Sequence, residues 1–234
     1  LPTAALLASS GNEVIGVDIN PKIISTISKG KTPIIEKDLS PLVSKVISNG
    51  SLKVFTKPKP AEVFLITVPT PLKEKNSALP TPNIDYVLTA ATSISTLIKK
   101  NDLIILESTS PVGTTDKVAS LIEKLTGYTR NDIHIAYCPE RVIPGRTLIE
   151  LVENSRVIGG LTEKATISAK EFYRTFCKGK LLTTNARTAE LVKLTENSYR
   201  DINIAFANEI SMIASEFGVN TSQLIKFANM HPRV

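Results

Sequence analysis

Val63-Phe64-Leu65-Ile66-Thr67-Val68-Pro69 is the stretch on which the fold is decided. Its apolar residues run together without alternating with polar ones, which is the pattern of a strand buried on both faces, as in a parallel sheet covered by helices. Pro69 ends the run, because it offers no backbone donor to a further ladder bond. Upstream, residues 3–9 are small and apolar and stop at a Ser9-Ser10-Gly11-Asn12 turn before Val14-Ile15-Gly16-Val17-Asp18, a helix leading into a strand. Ile23, Ile24 and Ile27 then recur at helical spacing from Asn20-Pro21 to Gly30, and Leu42, Val43, Val46 and Ile47 make the next helical face, closed by Asn49-Gly50.

Downstream, the stretch from Pro69 to Pro82 holds four prolines and no apolar period, so it is expected to be loop. Ile84–Ile98 reads as helix, Leu103–Leu106 as strand, Lys117–Leu125 as helix and Ile133–Tyr137 as strand. Arg156–Gly160 reads as a short strand and Ala165–Phe176 as a helix. This alternation predicts an α/β fold with a doubly wound, Rossmann-like parallel sheet to about residue 184. From Ala186 to Phe217 there is no Pro or Gly, and Leu191, Leu194, Ile202, Ala205, Phe206 and Ile210 keep a helical period. Residues 185–234 are therefore expected to be a long central helix, bridging two domains or two subunits, and the start of a helical domain. Asn203 and Asn208 interrupt its apolar face, and a subunit contact would satisfy their amides.

The composition is that of an ordinary globular protein, with 42% hydrophobic and 21% charged residues. A net charge of +6 suits an anionic ligand, but the lysines are scattered with no basic tract, so nucleic acid is not expected as a partner. No apolar run approaches a membrane span and the first residues lack a signal-peptide pattern, which points to the cytoplasm and to no membrane partner. The cysteines are Cys138 and Cys177; their spacing suggests neither a metal site nor a disulfide, and both read as buried thiols.

A doubly wound sheet binds ligands at the carboxyl ends of its strands. Asp18 stands at such an end. It either accepts hydrogen bonds from an adenosine ribose, favouring NAD over NADP, or caps the helix beginning near Pro21. The glycine-rich phosphate turn expected ahead of the first helix is not present. The sheet's first strand is accordingly expected to be missing, which would expose the edges of its two neighbours.

Five segments, Val17-Asp18-Ile19-Asn20, Val68-Pro69-Thr70-Pro71, Glu107 to Thr115 (ESTSPVGTT), Tyr137-Cys138-Pro139-Glu140-Arg141 and Leu194-Thr195-Glu196-Asn197, follow one another in an order that resembles the UDP-glucose/GDP-mannose dehydrogenase family. The resemblance covers the whole chain. Within the family, Pro139 to Gly145 (PERVIPG) and His231-Pro232-Arg233-Val234 are similar to the branch that acts on UDP-N-acetylmannosamine. The resemblance implies a two-stage oxidation of a sugar's C6 alcohol to a carboxylate, with NAD as the hydride acceptor, a UDP-sugar as substrate and a homodimer joined through the central helix. It also implies that the nucleophilic cysteine lies beyond Val234 and that neither Cys138 nor Cys177 replaces it, so these residues alone would not complete the reaction. A non-catalytic nucleotide-binding module is the reading from a different class.

Carried over position by position, the resemblance assigns Asp18, Lys22, Thr70 and Thr109 to the cofactor, with the threonine hydroxyls also near the reacting end of the sugar. Turn-stabilising threonines are the alternative. Glu140 is suited to position water or assist proton transfer, or is an exposed salt-bridging residue. Lys193 and Asn197, four apart on one helix face, are implied to hold a developing oxyanion; a solvated helix lysine is the alternative. Glu196 and Arg200 share the spacing and read as an ordinary pair. Arg141, His231 and Arg233 are implied to recognise substrate, the last in a neighbouring subunit's site. One departure stands out: Pro144 occupies a place where many UDP-glucose dehydrogenases carry a second glutamate, which puts UDP-glucose in doubt as substrate.

Overall fold

The computed structural model describes residues 1–73 and 80–232. The first helix, α1 (Pro2–Ser9), starts on proline, whose fixed φ suits a first turn, and feeds β1 (Val14–Val17). Then come α2 (Pro21–Ser28), capped by the Asn20 side chain on Lys22 N, α3 (Leu39–Ser48) and β2 (Leu52–Phe55). The sequence β3 (Val63–Ile66), β4 (Leu72–Lys73), β5 (Thr81–Pro82), α4 (Asp85–Ser95), β6 (Leu103–Leu106), α5 (Thr114–Thr126) and β7 (His134–Tyr137) follows. The rest is α6 (Thr147–Glu153), β8 (Arg156–Gly160), α7 (Glu163–Arg174), β9 (Leu181–Asn185), α8 (Ala186–Glu216) and α9 (Thr221–Ala228).

Two parallel ladders make the framework. β1 pairs with β2, and a five-stranded sheet runs in the order β3-β6-β7-β8-β9. All four residues of β6 are buried, as expected of an apolar strand covered on both faces. One core lies between that sheet and α4 and α5, built on Phe64, Ile104, Leu106, Val118, Ile122 and Ile135. A second, with Ile105, Ala136, Ile158, Tyr173 and Phe176, lies under α7, and a third holds α1, α2 and α3 over β2. Leu7 of α1 belongs to the second core and Ala5 and Ala8 to the third, so α1 is packed between the two sheets.

The mostly parallel sheet is the expected one, with one exception: β8 runs antiparallel to β7, with Tyr137 opposite Gly159. The cause is the connection, since α6 is only seven residues long and returns the chain from the end of β7 without a full crossover. The proline-rich stretch is not entirely loop, because β4 and β5 form a two-residue antiparallel ladder closed by Asn83 N donating to the Pro71 carbonyl at 2.6 Å. So short a ladder needs few donors and tolerates proline.

By its contacts the chain divides into two compact units, one spanning Leu1–Val192 and the other beginning at Lys193. In the second unit Asn203 and Asn208 are exposed, and Asn203 Nδ2 donates back to the Tyr199 carbonyl at 2.7 Å, so neither amide carries a burial cost there. Tyr199, Ile202, Phe206, Met212 and Phe217 are exposed as well. Among the described residues no helix is long and apolar enough to cross a membrane.

Candidate active site at the strand ends

The carboxyl ends of β3 and β6 are stitched into one platform. Ser108 Oγ donates to the Val68 carbonyl at 2.7 Å, Ser110 Oγ to the Ser108 carbonyl at 2.9 Å, and Thr70 Oγ1 to the Thr109 carbonyl at 2.6 Å. Thr70 and Thr109, assigned to one site from their motifs, are thus neighbours. In this geometry the Thr70 hydroxyl ties two loops together and keeps its lone pairs for a further donor.

Beside the platform, α5 begins at Gly113, which adopts a φ of +88° that few residues with a Cβ enter. The first amides of a helix need acceptors. Glu190, from the start of α8 and fully buried, supplies them: it accepts from Gly113 N at 2.6 Å, Thr115 N at 2.8 Å and Thr115 Oγ1 at 2.6 Å. A carboxylate at a helix amino end is also favoured by the helix dipole. Glu190 was not singled out in the sequence; the signal was a carboxylate in Ala189-Glu190-Leu191, facing the core at the opening of a long helix.

Under the platform lies a second buried carboxylate, Glu107, on the residue after β6. Tyr173 Oη donates to its Oε1 at 2.5 Å, and Arg156 Nη1 stands 3.8 Å from the same oxygen. The Arg156 guanidinium lies 4.5 Å over the Tyr173 ring, and Nη2 donates to the Leu151 carbonyl at 3.2 Å. Burial pushes the Glu107 carboxyl above its ordinary range, Arg156 and the Tyr173 hydroxyl oppose that, and Glu140 adds to it. Burial likewise pushes the neighbouring Cys138 thiol up to about 12, so it is an uncharged core group at neutral pH. Cys177 is buried too.

The remaining first-unit residues follow β1 and β7 in the chain. Asp18 is half-buried, and its Oδ1 accepts from Asn20 N at 2.8 Å. The α2 cap is Asn20 itself, whose Oδ1 accepts from Lys22 N at 3.0 Å, so Asp18 shapes the turn without capping the helix. Lys22 and Glu140 are exposed. Arg141 Nη1 donates to the Ser155 carbonyl at 2.8 Å, which engages its guanidinium in its own loop. The residues present fit a dinucleotide: the carboxyl ends of strands in two parallel ladders, an acidic group at the end of β1, and threonine hydroxyls after β3 and β6.

In the second unit Lys193 and Asn197 are half-buried on α8, one turn apart, and His231 is exposed after α9. Arg233 lies outside the described residues. Among the described residues no three His, Cys, Asp or Glu side chains gather as metal ligands.

This arrangement has close relatives. Residues 1–177 match the NAD-binding domain of the UDP-glucose/GDP-mannose dehydrogenase family, and residues 187–234 match that family's central domain. The chain belongs to this family. It is 50% identical to the UDP-N-acetyl-D-mannosamine dehydrogenase of Campylobacter jejuni over all of this chain and 59% of that protein. It is 48% identical to an NDP-N-acetyl-D-galactosaminuronic acid dehydrogenase of Ralstonia nicotianae over 100% of this chain and 56% of the relative. The solved UDP-D-ManNAc dehydrogenase of Pyrococcus horikoshii superposes with a TM-score of 0.94 at 45% identity, covering all of this chain and 56% of that one. The chain thus spans little more than half the length of these dehydrogenases. Its first unit carries the family's NAD-binding domain, in the mostly parallel α/β form expected from the alternation of strands and helices.

Proposed function

We propose that the protein oxidises the C6 alcohol of UDP-N-acetyl-D-mannosamine to the carboxylate, for surface-polysaccharide synthesis. The observation that carries this is the strand-end platform of Thr70 and Thr109, and it is supported by Asp18 and Glu140, which follow the carboxyl ends of the parallel-paired strands β1 and β7. The choice of sugar is supported by the names of the relatives at 48–50% identity and by Pro144. NAD, when bound, takes a hydride from the sugar carbon in each of two stages.

The chain's own residues then have defined work. The Asp18 carboxylate accepts from the adenosine ribose and repels a 2′-phosphate, with Lys22 beside it. Thr70 and Thr109 position the nicotinamide half and the reacting carbon. Lys193 and Asn197 donate to the C6 oxygen as charge develops on it, and Glu140 takes a proton from the water that completes the carboxylate. Arg141, His231 and Arg233 pair with the nucleotide sugar's oxygens. The balance is one alcohol and one water to one carboxylate, with two NADH released. A cytoplasmic location goes with these reactants.

The test is NADH formed per sugar consumed by the protein as the cell makes it. Two NADH with UDP-N-acetylmannosamine, little reaction with UDP-glucose or GDP-mannose, and little with NADP in place of NAD are expected. UDP-N-acetylgalactosamine is the second reading, favoured by the Ralstonia relative, and faster turnover with it would replace the first. No NADH from any of these sugars would favour a non-catalytic nucleotide-binding module.

We also propose a homodimer through α8. The support is the row of exposed apolar residues at Tyr199, Ile202, Phe206 and Ile213, more than an isolated helix face leaves in water. Sedimentation at micromolar concentration should give twice the chain mass, falling toward the monomer when Ile202 and Phe206 are both changed to Asp. A wild-type monomer would remove the dimer.

A further inference from the structure

The loop between β7 and α6 carries Glu140 and Arg141 and turns at Pro144-Gly145, where Gly145 takes a φ of +90°. Backbone donors in such a loop need acceptors, and here alternate residues find them on carboxylates. Ile143 N donates to Glu150 Oε2 at 2.9 Å. Gly145 N donates to Glu36 Oε2 and Thr147 N to Glu36 Oε1, both at 3.0 Å. Pro144, between them, has no donor to place. On the other side of the turn the Arg141 carbonyl accepts from Asn154 Nδ2 at 2.9 Å, and the same amide lies 3.3 Å from Glu150 Oε2.

Glu150 and Asn154 are local to the loop, but Glu36 is 109 residues from Gly145 in sequence. It belongs to the segment between α2 and α3, just ahead of Leu39 in the third core. An apolar contact runs beside it: Leu148, one residue past Thr147, packs on the core formed by Ala5, Ile27, Leu39 and Val43. The loop is therefore held to this part of the first unit by two amides on one carboxylate and by one leucine. The amides of Gly145 and then Thr147 hold the Glu36 carboxyl below its ordinary range, as expected of a carboxylate with two backbone donors.

We infer that Glu36 is a positioning residue, a clasp that sets the course of residues 143–147 and so the direction from which Glu140 and Arg141 meet the sugar. The inference rests on the function proposed above. Charge-assisted bonds of this kind are stronger than neutral ones, and a bidentate pair fixes direction as well as distance. Glu36 itself touches neither cofactor nor sugar in this reading; it acts through the loop.

The test uses Glu36→Gln, which keeps one acceptor oxygen, and Glu36→Ala, which keeps none. KM for the nucleotide sugar should rise about tenfold in the Gln variant, the equivalent of one lost charge-assisted bond, and further in the Ala variant. KM for NAD should stay near the wild-type value. Amide exchange should quicken in peptides covering residues 141–148 and stay unchanged in β6. Equal rises in both KM values would mean general destabilisation and overturn the clasp, as would an unchanged sugar KM or unchanged exchange in the loop. A wild-type protein inert with every sugar would overturn the functional reading and the sugar-positioning half of this inference, and amide exchange would still decide the clasp.

Discussion

Arg156→Ala should lower the stability of the first unit by about 3–5 kcal/mol at neutral pH, because it leaves the Glu107 carboxylate buried without its counter-charge. Arg156 is 5% exposed and stands between Glu107 and the rings of Tyr173 and Phe176. For a unit of this size such a loss corresponds to a fall in Tm of roughly 10 °C. The effect should also depend on pH in a definite direction. Burial raises the Glu107 pKa in the folded state, so the folded protein holds a proton that the unfolded chain releases, and Glu107's contribution falls as pH rises through that window. Removing Arg156 takes away the main influence lowering that pKa and extends the window upward. The deficit of Arg156→Ala, measured by urea denaturation, should therefore be larger at pH 8 than at pH 5. A deficit of equal size at both would mean that lost packing, and not an unpaired charge, is the cause. The double change Glu107→Gln with Arg156→Met should recover much of the loss, since replacing both partners leaves no buried charge.

That cluster also shows what the sequence makes legible. The strands β3, β6 and β7 are apolar runs buried on both faces, and a run of that kind can be read without knowing its partners. β2, with only Leu52 fully buried, and β9, an edge strand with Leu182 and Thr183 exposed, have no such run and were not recognised. α6 went unread because seven residues between Pro144 and Arg156 are too few to establish a period. The same division holds at the site. Residues at strand ends, such as Asp18, Thr70 and Thr109, are marked by the end of an apolar run. Glu36 and Glu190 are not, because each is defined by a partner far along the chain, Gly145 and Gly113; Glu107 does follow such a run, but its partner Arg156 is equally remote. A carboxylate's residue type records its charge, and only the fold records what neutralises it.

Glu190 connects these two levels. It holds the opening of α5, and with it the loop from Ser108 to Gly113, against the first turn of α8.

Lys193→Ala should lower kcat by about 10²–10³-fold, the usual cost of removing one preorganised donor to a developing oxyanion. An alcohol oxygen in the bound sugar is neutral, and it gains charge only as the hydride leaves, so an ammonium beside it stabilises the transition state more than the ground state. NAD affinity should be unchanged, because the residues proposed for the cofactor, Asp18, Thr70 and Thr109, are on other elements. Asn197→Ala should show a smaller loss of the same kind, since an amide donor carries no charge. Because the two side chains lie one turn apart and are proposed to serve one oxygen, the double variant should lose less than the product of the single losses. Steady-state kinetics with saturating NAD, together with NAD titration of each variant, measures both quantities. If Lys193→Ala keeps kcat within threefold of wild type, or loses NAD affinity in proportion to its rate, the ammonium is a surface charge of α8 and the oxyanion role passes to another residue.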